Sequence, residues 1–405
     1  MTCEVDSAEA QEARDLLKRL VASRSPNPPG DERVVTQIIC EEAARLGLPE
    51  PQSHARVSHR PNLIFTIGSG TPNLMLAAHM DTVPPGNLAA WSSDPYVLTH
   101  EGNRLVGLGS ADMKAAIAAM LFAAARIHKH PEPQGTLTLV FSADEEAGSA
   151  EGMEWLLKQG LLKADGAAMT EPAGLGAQSW QRLFVAQRGH CVCWLTAQGK
   201  PGHSGDHVPR KERASYAFAK ALNALVEADP FADWAHPVDG TKPTLNVATM
   251  VQGGMVPFAH PSTLKACIEV RVIEGMTEQL VLDRLRRVVS ASGLGARVTI
   301  EPADAPLNWI SPGTEAKDLR LLEAAKTAWR EVVGSEPVLG VMTGGTDATN
   351  TNVAGIPTLP AFGPGSLGVA HQPNESLPPE DLSIAINLFE MFVRQYHSLP
   401  IPSAS

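Results

Sequence analysis

Residues 74–78, Leu-Met-Leu-Ala-Ala, are an unbroken apolar run of strand length that stops on His79, with Asp81 two places on and Pro84 closing the segment. In an open α/β sheet ligands collect at the carboxyl ends of strands, so a histidine at that position faces a site rather than a core. A carboxylate two residues later can accept the imidazole's second N–H, which fixes the tautomer and raises ligand basicity. A histidine that merely ends a strand is more often a hydrogen-bonded structural residue. The weight of the pair therefore depends on what else the chain brings to strand ends.

Composition narrows the partners. A chain of 405 residues exceeds what one hydrophobic core usually serves, so two domains are expected. The net charge of -11 argues against nucleic acid or an anionic membrane surface, both of which need a basic footprint. The partner expected is a small-molecule substrate. Cys3, Cys40, Cys191, Cys193 and Cys267 are odd in number and lack C-x-x-C spacing, and Cys191 and Cys193 alternate as residues on one strand face do. That usage fits a reducing compartment. The first residues, Met-Thr-Cys-Glu-Val-Asp, lack a basic and apolar leader, and no apolar run reaches bilayer length, so a cytoplasmic location is expected.

Taken in order, residues 7–23 carry leucines at helical spacing, the turn Ser25-Pro26-Asn27-Pro28-Pro29-Gly30 ends that helix, and Asp31 can cap a second helix to about Leu46. Residues 62–67 and 74–78 read as strands, and residues 84–109 as a long loop of the kind that is usually functional. Asp112 then opens an Ala-rich helix over 115–128, where free N–H groups can hold a carboxylate in one orientation. The apolar strand 136–141 ends in Asp144-Glu145-Glu146, three successive acids whose mutual repulsion calls for a counter-cation. A further apolar segment, 166–170, ends on Glu171.

From residue 185 the texture changes to strand 188–198, helix 211–228, strands 244–251 and 263–272, helix 277–292 and strand 296–301. That order is the split β-α-β, ferredoxin-like unit, inserted into the first domain. A helix over 315–333, Pro/Gly-punctuated strands and a closing helix over 380–396 complete the chain. The expected architecture is α/β, a mixed sheet flanked by helices, with domain boundaries at 1–184, 185–302 (the insert) and 303–405.

His79, Asp81, Asp112, Glu145, Glu146, Glu171 and His371 all fall where strands, helices or loops begin or end. Imidazoles and carboxylates without a thiolate suit zinc, manganese or cobalt. If Asp112, Glu146 and Glu171 ligate two divalent ions, their three negative charges and a bridging hydroxide balance the four positive ones, and Glu145 is free to act as a base. Such a pair, roughly 3.5–4 Å apart, activates water and polarises a carbonyl without a covalent intermediate.

With these residues in place the chain resembles the dinuclear zinc M20 peptidases and deacylases, of the acetylornithine deacetylase, succinyl-diaminopimelate desuccinylase and glutamate carboxypeptidase type. The likeness runs in order through Ala78 to Pro84, Gly107 to Lys114, Asp144-Glu145-Glu146-Ala147-Gly148, Glu171-Pro172, Gly202-His203-Ser204-Gly205, Gly345-Thr346-Asp347 and His371-Gln372-Pro373-Asn374-Glu375. It implies a zinc-exopeptidase-like catalytic domain carrying an inserted dimerisation or lid domain. It also implies two divalent ions, zinc first with cobalt or manganese as alternatives. His79, Asp112 and Glu171 would hold one ion, and Asp112, Glu146 and His371 the other.

By the same resemblance Asp81 orients His79, Glu145 activates water and passes its proton to the leaving nitrogen, and the Asp112–Met113 peptide is cis. His203 would reach the oxyanion in the partner's site of a homodimer joined through the insert, although Asp206-His207-Val208-Pro209 makes a longer route to the next helix than in some relatives. Asn246 and Arg271 match substrate-binding positions, Arg271 suiting a carboxylate. Gly345, Thr346 and Gly365 would line the pocket with backbone donors. The implied activity is metal-dependent hydrolysis of the amide of an N-acyl amino acid or dipeptide-like compound. An aminopeptidase or dipeptidase and a non-catalytic metal-binding scaffold are the alternatives; only a catalyst needs Glu145.

Overall fold

The structure, a computed structural model, describes residues 7–131, 134–176, 178–305, 308–313 and 318–400. The chain divides into two compact units, one of Met1–Ala186, Glu315–Met342 and Thr346–Ser405, the other of Gln187–Thr314 and Thr343–Gly345.

The first unit begins with α1 (Ser7–Ala22), α2 (Arg33–Arg45), β1 (Gln52–His54), β2 (Asn62–Ser69) and β3 (Asn73–His79). The segment expected as a loop holds a short hairpin, β4 (Thr99–Glu101) and β5 (Arg104–Val106), turned by Gly102 at φ 62°. After it come α3 (Ala115–Lys129), β6 (Gly135–Ser142), α4 (Met153–Lys158), β7 (Gly166–Met169), β8 (Pro172–Gly174) and β9 (Leu183–Gln187).

The second unit runs through β10 (Gly189–Gln198), β11 (Gly202–His203), α5 (Ala214–Ala228), β12 (Thr244–Gln252), β13 (Ala259–His260), β14 (Thr263–Val272), α6 (Glu278–Ala291), β15 (Val298–Pro302) and β16 (Trp309–Ile310). The chain then returns to the first unit as α7 (Leu319–Val332), β17 (Leu339–Met342), α8 (Ala348–Val353), β18 (Thr358–Leu359), β19 (Gly363–Ser366), β20 (Ser376–Leu377) and α9 (Glu380–Ser398). The first residues expected in α7, 315–317, lie outside the described residues.

The main sheet of the first unit has the order β1-β2-β6-β3-β7-β18. Its β3, β6, β7 and β18 pair in parallel and β1 and β2 antiparallel, a mixed sheet. Every residue of β6 is buried, and β3 is buried from Leu74 onward, because helices cover both faces. Met75, Ala77, Val140, Ala167 and Met169 pack with Met153 and Leu156 of α4 and Ala348 of α8. The other face meets α3, whose residues from Ala115 to Ala124 are all buried, and α9, which brings Phe389, Phe392 and Tyr396 around Phe362. Alanine on α3 lets that helix approach sheet and neighbour closely. Parallel pairing has a consequence for function: His79, Ser142 and Met169 end neighbouring strands at one edge, so whatever follows each of them converges.

In the second unit the sheet order is β12-β14-β10-β15, the second, third, first and fourth of its long strands, all antiparallel. Burial alternates along β10, and Cys191, Cys193, Leu195 and Ala197 lie under α5 and α6. The two cysteines thus share a packed face. The unit continues past residue 302 because β15 pairs only with the Cys193–Ala197 stretch of β10, leaving His190 and Cys191 for β16.

One buried ion cluster ties the first unit together. Arg60, just before β2, donates to both oxygens of Glu32 at 2.6 and 2.9 Å and to Asp144 beyond β6 at 2.8 Å. All three side chains are at most 7% exposed. Arg60→Met would leave two buried carboxylates without their cation, an expected loss of roughly 3–5 kcal/mol in urea unfolding. Burial already raises the Glu32 carboxyl against the opposing pull of Arg60. Without Arg60 it rises further, the folded chain holds that proton more tightly than the unfolded chain, and the deficit should narrow as the pH is lowered. A loss under about 1 kcal/mol, or one that widens on acidification, would contradict this account.

Candidate metal centre

His79 closes β3, where its ring is buried and its Nδ1 lies 3.0 Å from the backbone carbonyl of Asp81. A carbonyl only accepts, so Nδ1 carries the proton and Nε2 presents a lone pair. That lone pair faces Asp112 Oδ1 at 2.9 Å and Glu171 Oε1 at 3.6 Å. Acceptors facing acceptors at this range need a proton or a cation between them. Burial opposes charging His79, yet its bond to Asp112 and the nearby carboxylates of Asp81 and Glu171 hold its pKa well above the usual imidazole value.

The Asp81 carboxylate does something other than the sequence reading assigns. It stands 3.6 Å from the imidazole Nδ1, beyond hydrogen-bond length, and the residue's carbonyl orients the ring instead. Its two oxygens accept the backbone N–H groups of Glu145 at 3.2 Å and Glu146 at 3.1 Å, and Asn27 Nδ2 at 2.8 Å. Asp144, at φ 67°, makes the sharp turn that aims these glutamates, and it accepts from Asn27 and Arg60. One residue therefore sets both the histidine and the acidic turn.

Asp112 lies in an irregular turn entering α3, and the Asp112–Met113 peptide is cis. Its Oδ1 is the partner of His79, and its Oδ2 is 3.3 Å from His371 Nε2. The same His371 nitrogen is 3.2 Å from Glu146 Oε2, whose other oxygen accepts Val83 N–H. Burial would raise the Asp112 carboxyl, but the two histidines hold it far below the usual range. His371 is pushed up to about 11 by its bonds to Asp112 and Glu146. Glu145 and Glu171 go the other way: burial first, then the charges of neighbouring carboxylates, raise both well above the ordinary value despite His79.

The donor set fits divalent ions. Ligand atoms of His79, Asp112 and Glu146, and of His79, Glu145 and Glu171, lie within 4.8 Å of one another. Nitrogen and oxygen donors, crowded carboxylates that raise one another's pKa, and imidazole nitrogens aimed at carboxylate oxygens are what a cation would resolve. Lys114 does not fill that role, since its buried Nζ is directed at the Ser23 carbonyl at 2.7 Å and burial lowers it to about 7.

The remaining candidates divide between the units. Thr346 is buried, and its hydroxyl bonds the Pro360 carbonyl. Gly365 is no free backbone donor, because its N–H is held by Asp381; glycine is needed there since a Cβ would meet that of Ala111 at 2.9 Å, at φ 86°. In the second unit His203 is exposed on β11, with Nδ1 accepting Gly205 N–H, and Gly345 is exposed. Asn246 and Arg271, on adjacent strands, both reach Glu269, at 2.9 and 2.7 Å.

Sequence reasoning missed Asn27, Glu32, Arg60, Asp347 and Glu375. Asp347 is buried, bonded by Ser149 and Asn350, and raised to about 6 by burial. Glu375 accepts three backbone N–H groups around Asp112. Asp347 stands in Gly345-Thr346-Asp347 and Glu375 in His371 to Glu375, and those motifs are the signal the sequence offers; Arg60 and Glu32 have none.

Comparison with known proteins places the chain in a family. Residues 75–395 match the model of Peptidase family M20/M25/M40. The chain is 29% identical over 387 residues to the succinyl-diaminopimelate desuccinylase of Thioalkalivibrio sulfidiphilus, covering 93% of this chain and 96% of the relative. It is also 29% identical to the enzyme of that name from Afipia carboxidovorans, covering 95% and 98%. Among solved structures it is similar to an M20 family metallo-carboxypeptidase from Sulfolobus solfataricus, with TM-score 0.72, 20% identity and coverage of 97% and 99%. A dinuclear metal-binding M20 peptidase from Bacillus subtilis gives TM-score 0.67 at 16% identity, covering 96% and 98%. With most of its length inside the family match, the chain belongs to Peptidase family M20/M25/M40 and is a metallo-hydrolase of amide bonds.

Proposed function

We propose that this protein removes the acyl group from an N-acyl amino acid, N-succinyl substrates first, at a dinuclear centre. The observation that carries the reading is Asp112, whose two oxygens face two different histidines, at 2.9 and 3.3 Å. His79, Asp112 and Glu171 would hold one ion, and Asp112, Glu146 and His371 the other. Two divalent ions, zinc first with cobalt or manganese as alternatives, lower the pKa of water and polarise the substrate carbonyl when bound.

Glu145 supplies the proton chemistry. Burial and neighbouring carboxylates raise its pKa above the ordinary carboxylate value, and a carboxylate tuned upward is the better base for taking a proton from water and handing it to the leaving nitrogen. Asp81 fixes that base by holding its backbone. The desuccinylases at 29% identity support a succinyl group, and an arginine such as Arg271 can pair bidentately with a substrate carboxylate.

A homodimer through the second unit is part of the proposal. β12 is an edge strand, and Met250, Val251, Met255, Val256 and Phe258 on and after it are exposed. Among the described residues that edge is unpaired, and an apolar, unpaired edge invites a second copy. His203 of that copy would then serve as the oxyanion donor. A cytoplasmic location accords with the unpaired Cys40, Cys191, Cys193 and Cys267. No helix among the described residues is long and apolar enough to cross a membrane.

Glu145→Gln keeps size and shape but cannot take a proton. Turnover should fall roughly 100- to 10,000-fold with metal content unchanged by elemental analysis; surviving turnover would remove Glu145 from the mechanism. Across a panel of N-succinyl, N-acetyl and dipeptide substrates, the highest kcat/KM should belong to an N-succinyl amino acid and vanish on chelation. Fastest cleavage of a free-amine dipeptide would favour the peptidase reading. Phe258→Glu should convert dimer to monomer in sedimentation; a wild-type monomer would refute the dimer.

A further inference from the structure

Glu375 has no part in the chemistry above, yet it is 1% exposed and sits four residues beyond His371. Its carboxylate accepts Gly109 N–H at 2.9 Å on one oxygen, and Ala111 and Asp112 N–H at 2.8 and 2.9 Å on the other. Its backbone carbonyl accepts Gly107 N–H at 3.0 Å and the Ser110 hydroxyl at 3.3 Å. Its own N–H donates to the Gln372 carbonyl at 3.2 Å, closing the turn that carries His371. One residue thus grips the whole approach to Asp112 and the loop of His371, segments more than 250 positions apart in sequence.

The other candidate ligands do not rely on it. His79 ends β3 between two parallel neighbours. Glu171 follows β7, with Thr170 N–H on the Ala77 carbonyl and its own carbonyl accepting Gly363 N–H at 2.7 Å. Glu146 is held by Asp81. Asp112 and His371, by contrast, both sit on irregular backbone, His371 at φ 60° with its side chain 54% exposed.

We propose that Glu375 is a positioning residue that locks Asp112 and His371 in mutual register; because it holds the loop of His371 as well as Asp112, it sustains the ion position formed by Asp112, Glu146 and His371 more than the position formed by Asp112, His79 and Glu171, which shares only Asp112 with it. The proposal rests on the dinuclear reading above. Groups behind the direct ligands commonly govern metal affinity in this way, by fixing where a ligand atom stands before the ion arrives.

Glu375→Gln is the discriminating variant, because its amide turns one acceptor into a donor that faces a backbone N–H. Glu375→Asp keeps both acceptors at shorter reach. Full-length wild type and variants, stripped of metal, are dialysed against buffered free zinc and assayed by elemental analysis, with visible absorption of the cobalt-loaded forms as a second readout. Wild type should take up two ions per chain. In Glu375→Gln one of the two dissociation constants should rise roughly 10- to 100-fold while the other moves less than about threefold, and Glu375→Asp should recover part of the loss. Should Glu375→Gln fail to fold, Glu375→Asp must itself show the selective weakening. Equal weakening of both positions, or none, overturns the role of Glu375 and leaves the dinuclear reading standing. A wild type that binds fewer than two ions overturns that reading, and this inference with it.

Discussion

Carboxylates crowded into a buried space repel one another, and the first unit is built around managing that repulsion. Asp112, Glu145, Glu146 and Glu171 meet at one sheet edge with two histidines. In an unrelieved state their pKa values separate, Asp112 far down and Glu145 and Glu171 far up. The pattern is that of anions competing for too few cations. A site of this kind is stable as a charged object only when positive charge enters it, which makes ion binding a property of the electrostatics rather than an addition to it.

Strands and loops divide the work of holding these groups. Three parallel strands end together, so His79, the Glu145–Glu146 turn and Glu171 arrive at one edge by topology alone. What topology leaves free, buried hydrogen bonds fix. Asp81 takes the N–H groups of both glutamates and orients the histidine through its carbonyl. Arg60 neutralises Glu32 and Asp144 beneath that turn. Polar groups buried this deeply are costly when unpartnered, so each bond doubles as a constraint on geometry.

Much of this was legible in the residue order. Apolar runs that stop on His79, Ser142 and Glu171 identify strand ends, and the acids at and just past them identify a site. The split β-α-β order of the second unit followed from its alternating and helical periodicities. Other features left little trace. Arg60 is a single basic residue in a loop whose partners are 28 and 84 positions away, and nothing local distinguishes it from a solvated arginine. The β4–β5 hairpin has strands of three residues, too short for a periodic pattern, and β16, which extends the second unit, has two. Asp81 shows a subtler limit: its proximity to His79 was readable, but whether carbonyl or carboxylate would take the ring proton depended on the backbone turn. Gly365 was read as a donor, whereas space against Ala111 is what requires it.

The proposed dinuclear centre requires Asp112 to be shared between two ions. Crystals of the zinc-loaded protein, measured on either side of the zinc absorption edge, test this most directly. Two anomalous peaks are expected, one between Asp112, His79 and Glu171 and one between Asp112, Glu146 and His371. A single peak away from Asp112, or none at full zinc occupancy of the solution, would contradict it.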